Sequence, residues 1–259
     1  MGNIRPAYCA GYWYSEDPRK LSAELNGYLS EIRKENYKVK AVIVPHAGYF
    51  YSGKVAAHSF KQIDENTKNV IILGTAHRYP LKGICAMDYE FYDSPLGKVK
   101  IEVQMKEFLK ERNVLSLREA DEEEHSVEIE IPFLQLQLKD FEILPLIVGK
   151  VNTDDFSKLL EKYFKENTVI LVSVDLSHFH IYDKAVEYDK YSINSILELD
   201  DSAIEDAEID SPYAVMAIIK LAKRKSWKPK LLCYKNSGDV TGDKSRVVGY
   251  ASIIFYEDE

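Results

Sequence analysis

The feature that most constrains this chain is a set of near-continuous β-branched runs, each followed by Gly, Ser, Asp or His. They are "KAVIVPHAG" from Lys40, "NVIILGTAH" from Asn69, "FEILPLIVG" from Phe141 and "TVILVSVDLSH" from Thr168. A strand with no polar–apolar alternation must be covered on both faces, which is the condition of a sheet held between layers of helices. Helix-like segments lie between and around these runs: "DPRKLSAELNGYLSEIRKE" from Asp17, "SGKVAAHSFKQI" from Ser52, "KVKIEVQMKEFLKERNV" from Lys98, "HSVEIEIPFLQLQLK" from His125 and "TDDFSKLLEKYFKE" from Thr153. Two of them open on residues suited to capping a helix, Ser52 and Thr153. This alternation predicts an α/β fold, a three-layer α/β/α sandwich around a mixed, largely parallel sheet. "ICAMDYEFYDSPLGKVKI" from Ile84 reads as an antiparallel hairpin around "DSPLG", and "LLCYKNSGDVTGDKSRVVGYASIIFYE" from Leu231 as two strands flanking a polar loop.

The 259 residues carry no repeat, low-complexity tract or linker, so one domain over 1–259 is expected. A net charge of −8 leaves no basic excess to neutralise phosphates and argues against a nucleic-acid partner. The basic stretch "KLAKRKSWKPK" from Lys220 reads as a solvated helix end. Cys9, Cys85 and Cys233 are scattered, with no paired spacing that would hold structural zinc, which fits a reducing compartment. No apolar stretch has the length of a membrane span and no secretory leader is evident, so a cytoplasmic location without membrane contact is expected.

Six histidines carry the chemical interest. His58, inside "VAAHSF", reads as a packed helix residue, and His180 as a neighbour of His178. His46, His77 and His178 each follow the carboxyl end of a predicted strand, where an open α/β sheet places its ligand crevice. His125 follows a run of four acids at a helix start. Imidazoles brought together in this way ligate Zn, Fe or Cu, and a carboxylate completes the two-His, one-acid set. Asp175 is close enough in sequence to orient an imidazole through its second nitrogen. A Ser-His-Asp hydrolase is the weaker alternative, because no G-x-S-x-G elbow occurs.

The blocks "AGYWYS" from Ala10, "PHAGYFYSG" from Pro45, "LGTAHRYPL" from Leu73, "DEEEHSVEIEIPFLQ" from Asp121 and "VSVDLSHFH" from Val172 resemble the Memo family over nearly the whole chain. That family is similar in fold to the class III extradiol dioxygenases, non-haem Fe(II) enzymes that open catechol rings. The resemblance implies that His46 and His77 are metal ligands, that His178 is the acid/base, and that His125 lines the same pocket. In animal Memo proteins the third metal position is a cysteine four residues before a proline. Anchoring on Pro212 of "AEIDSPYAVMAIIKLA" puts Glu208 there, with Asp210 as a competitor. Glu208 would restore the two-His, one-carboxylate set.

The function so implied is an Fe(II)-dependent oxidoreductase acting on an aromatic diol, with Cu or Zn as alternative metals. Asp175 would fix the tautomer of His178, and Trp13, Tyr49, Tyr51 and Arg78 would wall the substrate pocket. The competing reading is a non-enzymatic protein that binds metal or peptide through a vestigial site.

Overall fold

A computed structural model describes residues 3–258. The main strands are β1 (Lys38–Val44), β2 (Asn69–Thr75), β3 (Val99–Ile101), β4 (Glu142–Val148), β5 (Thr168–Ser173), β6 (His178–His180), β7 (Lys228–Asn236) and β8 (Val247–Glu257). The main helices are α1 (Pro18–Ser30), α2 (Tyr49–Gln62), α3 (Ile131–Gln137), α4 (Thr153–Tyr163), α5 (Tyr182–Leu197) and α6 (Pro212–Lys225).

The four β-branched runs form the sheet centre in the order β4-β2-β5-β1, all parallel. β2 and β5 are buried along almost their whole length, as their unalternating sequence requires. Beyond β1 the sheet turns antiparallel: β8 pairs with β7 along one edge and with β1 and then β6 along the other. At the far edge β3 runs parallel to β4, and short strands at Phe91–Tyr92 and Ile4–Arg5 extend it. The helices fall into two groups, α1–α2–α3 and α4–α6 with α5 joined to them through the turn at Ala203–Asp206. The fold is thus the expected sandwich around a mixed, largely parallel sheet.

Three local expectations change. The segment from Lys98 is not one helix; Val99–Ile101 alternates buried and exposed residues and joins the sheet, leaving a single helical turn at Met105–Phe108. Strand pairing there outweighs helical spacing, and it also forms the expected hairpin with Phe91–Tyr92. Ser52 lies inside α2, which starts at Tyr49 after Gly48, and its hydroxyl donates to the Ala47 carbonyl. α4 is capped by Asn152, whose side chain accepts from the Asp155 amide, so Thr153 is the first helical residue.

Candidate metal centre

The adjacent parallel strands β2, β5 and β1 bring the loops after their carboxyl ends together, the place where α/β sheets bind ligands. Side chains from one loop then tie down the next. The His46 amide, two residues past β1, donates to Asp175 Oδ1 at 2.9 Å on the loop after β5. Asp175 and Asp210 exchange contacts: each backbone amide reaches an oxygen of the other at 3.2 Å. The Asp210 carbonyl accepts the Thr75 hydroxyl at the end of β2. Beside it the Ser126 hydroxyl bridges the Thr75 amide and carbonyl. That approach needs Gly74, because a Cβ there would stand 2.5 Å from Ser126 Oγ.

This scaffold brings three imidazoles together. One ligand nitrogen from each of His46, His77 and His125 lies within 4.8 Å of the others. The rings of His77 and His125 stack at 4.4 Å, and His46 stands edge-on to both, at 5.0 and 5.2 Å. Trp13 closes the stack on the other face of His125 at 4.1 Å. Asp210 supplies the carboxylate: its Oδ2 is 2.8 Å from His46 Nε2 and 3.4 Å from His77 Nε2. Buried His46 Nε2, although this close to Asp210, makes no aligned hydrogen bond.

The opposite nitrogens are tied back. His46 Nδ1 lies 2.9 Å from Ser173 Oγ, which donates to the fully buried Glu130. His77 Nδ1 lies 2.9 Å from Glu124 Oε1, and the same carboxylate accepts the amides of His77, His125 and Ser126. Such outer partners fix ring orientation and leave Nε2 for a ligand. Glu124 and Glu130 both lie within the quoted "DEEEHSVEIEIPFLQ" block, but sequence could not tell them from the other acids of that run.

The electrostatics favour positive charge at the centre. Burial alone would lower the His46 pKa, but the charges of Asp210 and Asp175 outweigh it and raise it to about 10. His77 is likewise raised to about 9 against its own burial, by hydrogen bonds to Asp210 and Glu124. Burial would raise the Asp210 carboxyl, yet the two imidazoles hold it well below the usual range. His125 is the exception: burial and the neighbouring His46 charge lower it to about 3, so it is neutral. Burial raises Glu130 to about 8.

The other expected site residues divide. Glu208 does not face the cluster: its carboxylate meets His180 Nε2 at 2.5 Å. Asp210, two residues nearer the strand ends, stands against His46 and His77 instead. Asp175 holds the His46 amide rather than the His178 ring. His178 opens β6, opposite Val248, and next to Phe179. Trp13 and Tyr51 line a cavity of about 530 Å³ together with Ala47, Gly48, Phe179 and Arg246. Tyr49 is not in that wall; it is buried between Tyr14 and Phe133, with its hydroxyl on the Ile129 carbonyl. Arg78 turns outward, pairs with Glu123 at 2.8 Å and lies over the Tyr8 ring.

The fold and this cluster define an α/β protein with a histidine-rich, metal-competent crevice at its strand ends. An uncharacterized Escherichia coli K12 protein, JW3007, has a similar fold, with a TM-score of 0.52 and 12% identity over 83% of this chain and 99% of that one. The family model for Memo-like proteins matches residues 5–254. The chain is 33% identical to a MEMO1 family protein of Methanosarcina mazei, over 97% of this chain and 98% of that one. It is 32% identical to one of Aquifex aeolicus (97% and 99%) and 31% identical to one of Saccharolobus solfataricus (95% and 97%). This chain belongs to the Memo family.

Proposed function

We propose that the protein is a metal-dependent oxidoreductase of the ring-cleaving dioxygenase type, with His46, His77 and Asp210 as the ligand set and Fe(II) as the metal. One observation carries this reading: the Nε2 atoms of two tied-back imidazoles converge on a single Asp210 oxygen. Two imidazoles and one carboxylate leave several coordination positions open and suit non-haem Fe(II). Bound there, Fe(II) supplies a Lewis acid and a redox couple at which an aromatic diol and dioxygen can meet. The chain's own residues do the rest. Neutral His125, held by Trp13 and His77, offers a nitrogen that accepts a hydrogen bond from substrate. His178 is the candidate acid/base that takes and returns the phenolic proton. Trp13, Tyr51 and Phe179 offer ring faces to a flat substrate.

Three free cysteines fit a reducing, cytoplasmic setting. Among the described residues, no helix is long and apolar enough to cross a membrane.

The test measures metal content after anaerobic purification, then oxygen uptake with a panel of catechols. The expected result is stoichiometric iron and uptake that is lost in both His46→Ala and His178→Ala. A second reading rests on the same cluster: His46, His77 and His125 together form a three-imidazole set of the kind that holds zinc. Stoichiometric zinc with no oxygen uptake on any diphenol would favour that set, in a carrier or binding protein. Undiminished metal binding by His46→Ala and His77→Ala would refute both readings.

A further inference from the structure

A second cavity, of about 430 Å³, is lined by Thr75, Tyr79, Lys82, Lys150, Ser211 and Tyr213 among others, and shares Asp210 with the histidine cluster. Its construction is that of an anion site. α6 begins at its wall, with Ser211 at the N-cap position and Pro212 as the first helical residue. Serine there ordinarily accepts a hydrogen bond from the amides of the next turn. Here it does not: the Ser211 side chain makes no cap bond. Its hydroxyl is one of the few buried polar side-chain atoms without any partner, although the residue is only 2% exposed. The amides of Tyr213 and Ala214 also lack a hydrogen-bond acceptor among the described residues, since the first backbone bond of the helix runs from Val215 to Ser211. Ser211, with its orphan hydroxyl, and Tyr213, with its orphan amide, thus stand in the wall of one cavity at the positive end of a long helix.

Two cations complete it. Lys82 and Lys150 sit side by side on a short backbone bridge, with the Lys150 amide on the Leu81 carbonyl at 2.9 Å and the Gly83 amide on the Lys150 carbonyl at 3.0 Å. The close approach depends on Gly149, where a Cβ would stand 2.1 Å from the Leu81 carbonyl oxygen. Neither ammonium has an ion pair or hydrogen bond among the described residues, in a chain whose acids outnumber its lysines and arginines, 42 to 34. The one acid in the wall, Asp210, directs its carboxylate toward His46 and His77.

We propose that this cavity is an oxyanion-binding site for the carboxylate or phosphate group of a small molecule. Lys82 and Lys150 supply charge, and Ser211 Oγ with the Tyr213 amide supplies directed donors. The anion site stands independently of the metal reading. That the rest of the ligand extends past Asp210 toward the imidazoles rests on that reading.

The test titrates inorganic phosphate and acetate calorimetrically into the full chain, stripped of metal, and into His46→Ala. Saturable phosphate binding at one site is expected in both. Loss of two charge-assisted contacts in the Lys82→Ala/Lys150→Ala double variant should weaken it about tenfold or more. Both lysines are exposed, so this variant should keep its fold. Ser211→Ala gives the second readout: weaker phosphate binding with a melting temperature equal to or above wild type, because the hydroxyl bonds nothing in the protein. Acetate binding in preference to phosphate would assign the carboxylate class, and the reverse the phosphate class. The proposal is overturned by absence of saturable binding of either anion to wild type, or by binding that the double variant retains in full. Phosphate binding by wild type and His46→Ala alike, alongside failure of the wild-type protein to take up metal, would uphold the anion site and sink only the metal centre.

Discussion

Removal of Arg5 should destabilise the protein strongly and loosen the metal centre at the same time. Arg5 is almost fully buried, and its guanidinium reaches Glu128 at 2.5 Å, Asp121 Oδ2 at 3.2 Å and the carbonyls of Asp121 and Glu124 at 3.0 and 2.6 Å. Glu128 also accepts the amides of Tyr8 and Cys9 and the Tyr14 hydroxyl. The cation therefore ties the chain's first strand to the segment that carries Glu124 and His125. Arg5→Ala leaves two carboxylates buried without their counter-charge. Breaking such a pair from one side costs about 3–5 kcal/mol. For a chain of this size each kcal/mol moves the melting temperature by about 2–4 °C, so a fall of about 6–20 °C is expected. Urea unfolding followed by far-UV circular dichroism measures the free energy, and scanning calorimetry the midpoint. Arg5→Lys, which keeps the charge but cannot span all four oxygens, should fall between the two. A loss below about 1 kcal/mol for Arg5→Ala would show that the buried network contributes no net stability, and the reasoning would be wrong.

Other expectations are shorter. Asp210→Asn should cut metal occupancy severely while Glu208→Gln leaves it near wild type; plasma emission analysis of the purified variants decides, and equal losses would displace Asp210 as ligand. Glu124→Gln and Ser173→Ala, which release the tied-back nitrogens of His77 and His46, should each weaken metal binding about 10–100-fold by competition with a chelator. Burial raises the Cys85 thiol to about 11 and pushes Cys9 higher still, so both stay protonated at pH 8. A disulfide reagent at that pH should react slowly with native Cys9 and Cys85 and rapidly with all three thiols in urea; the native Cys85 rate should climb as pH approaches 11. Rapid modification of native Cys85 at pH 8 would contradict its burial.

The sheet centre was legible because each run is apolar throughout, a pattern only a covered strand sustains. His46 and His77 were legible for the same reason: they follow directly on those runs, so finding the strand finds the histidine. The third ligand was not. Glu208 and Asp210 both precede Pro212, and local spacing cannot say which side chain turns inward; the decision lies in the Asp175 and Thr75 contacts that pin the Asp210 backbone. Tyr49 was misplaced because a tyrosine beside a ligand histidine looks like a pocket wall, whereas as the first residue of α2 it packs into the core between Tyr14 and Phe133. The Ser173–Glu130 link behind His46 joins a strand end to a helix start and has no local signature at all.

The position of β8 also has a kinetic side. It fills the gap between β1 and β7, yet β1 ends at Val44 and β8 begins at Val247, about 200 residues later. Closing a loop of that length costs on the order of 5 kcal/mol in chain entropy before the first pair forms. The parallel strands can assemble on their own while β1 waits with one edge bare, its amides and carbonyls open to another chain. Refolding should therefore slow at this closure, and a peptide copying Val247–Glu257 should trap the open intermediate.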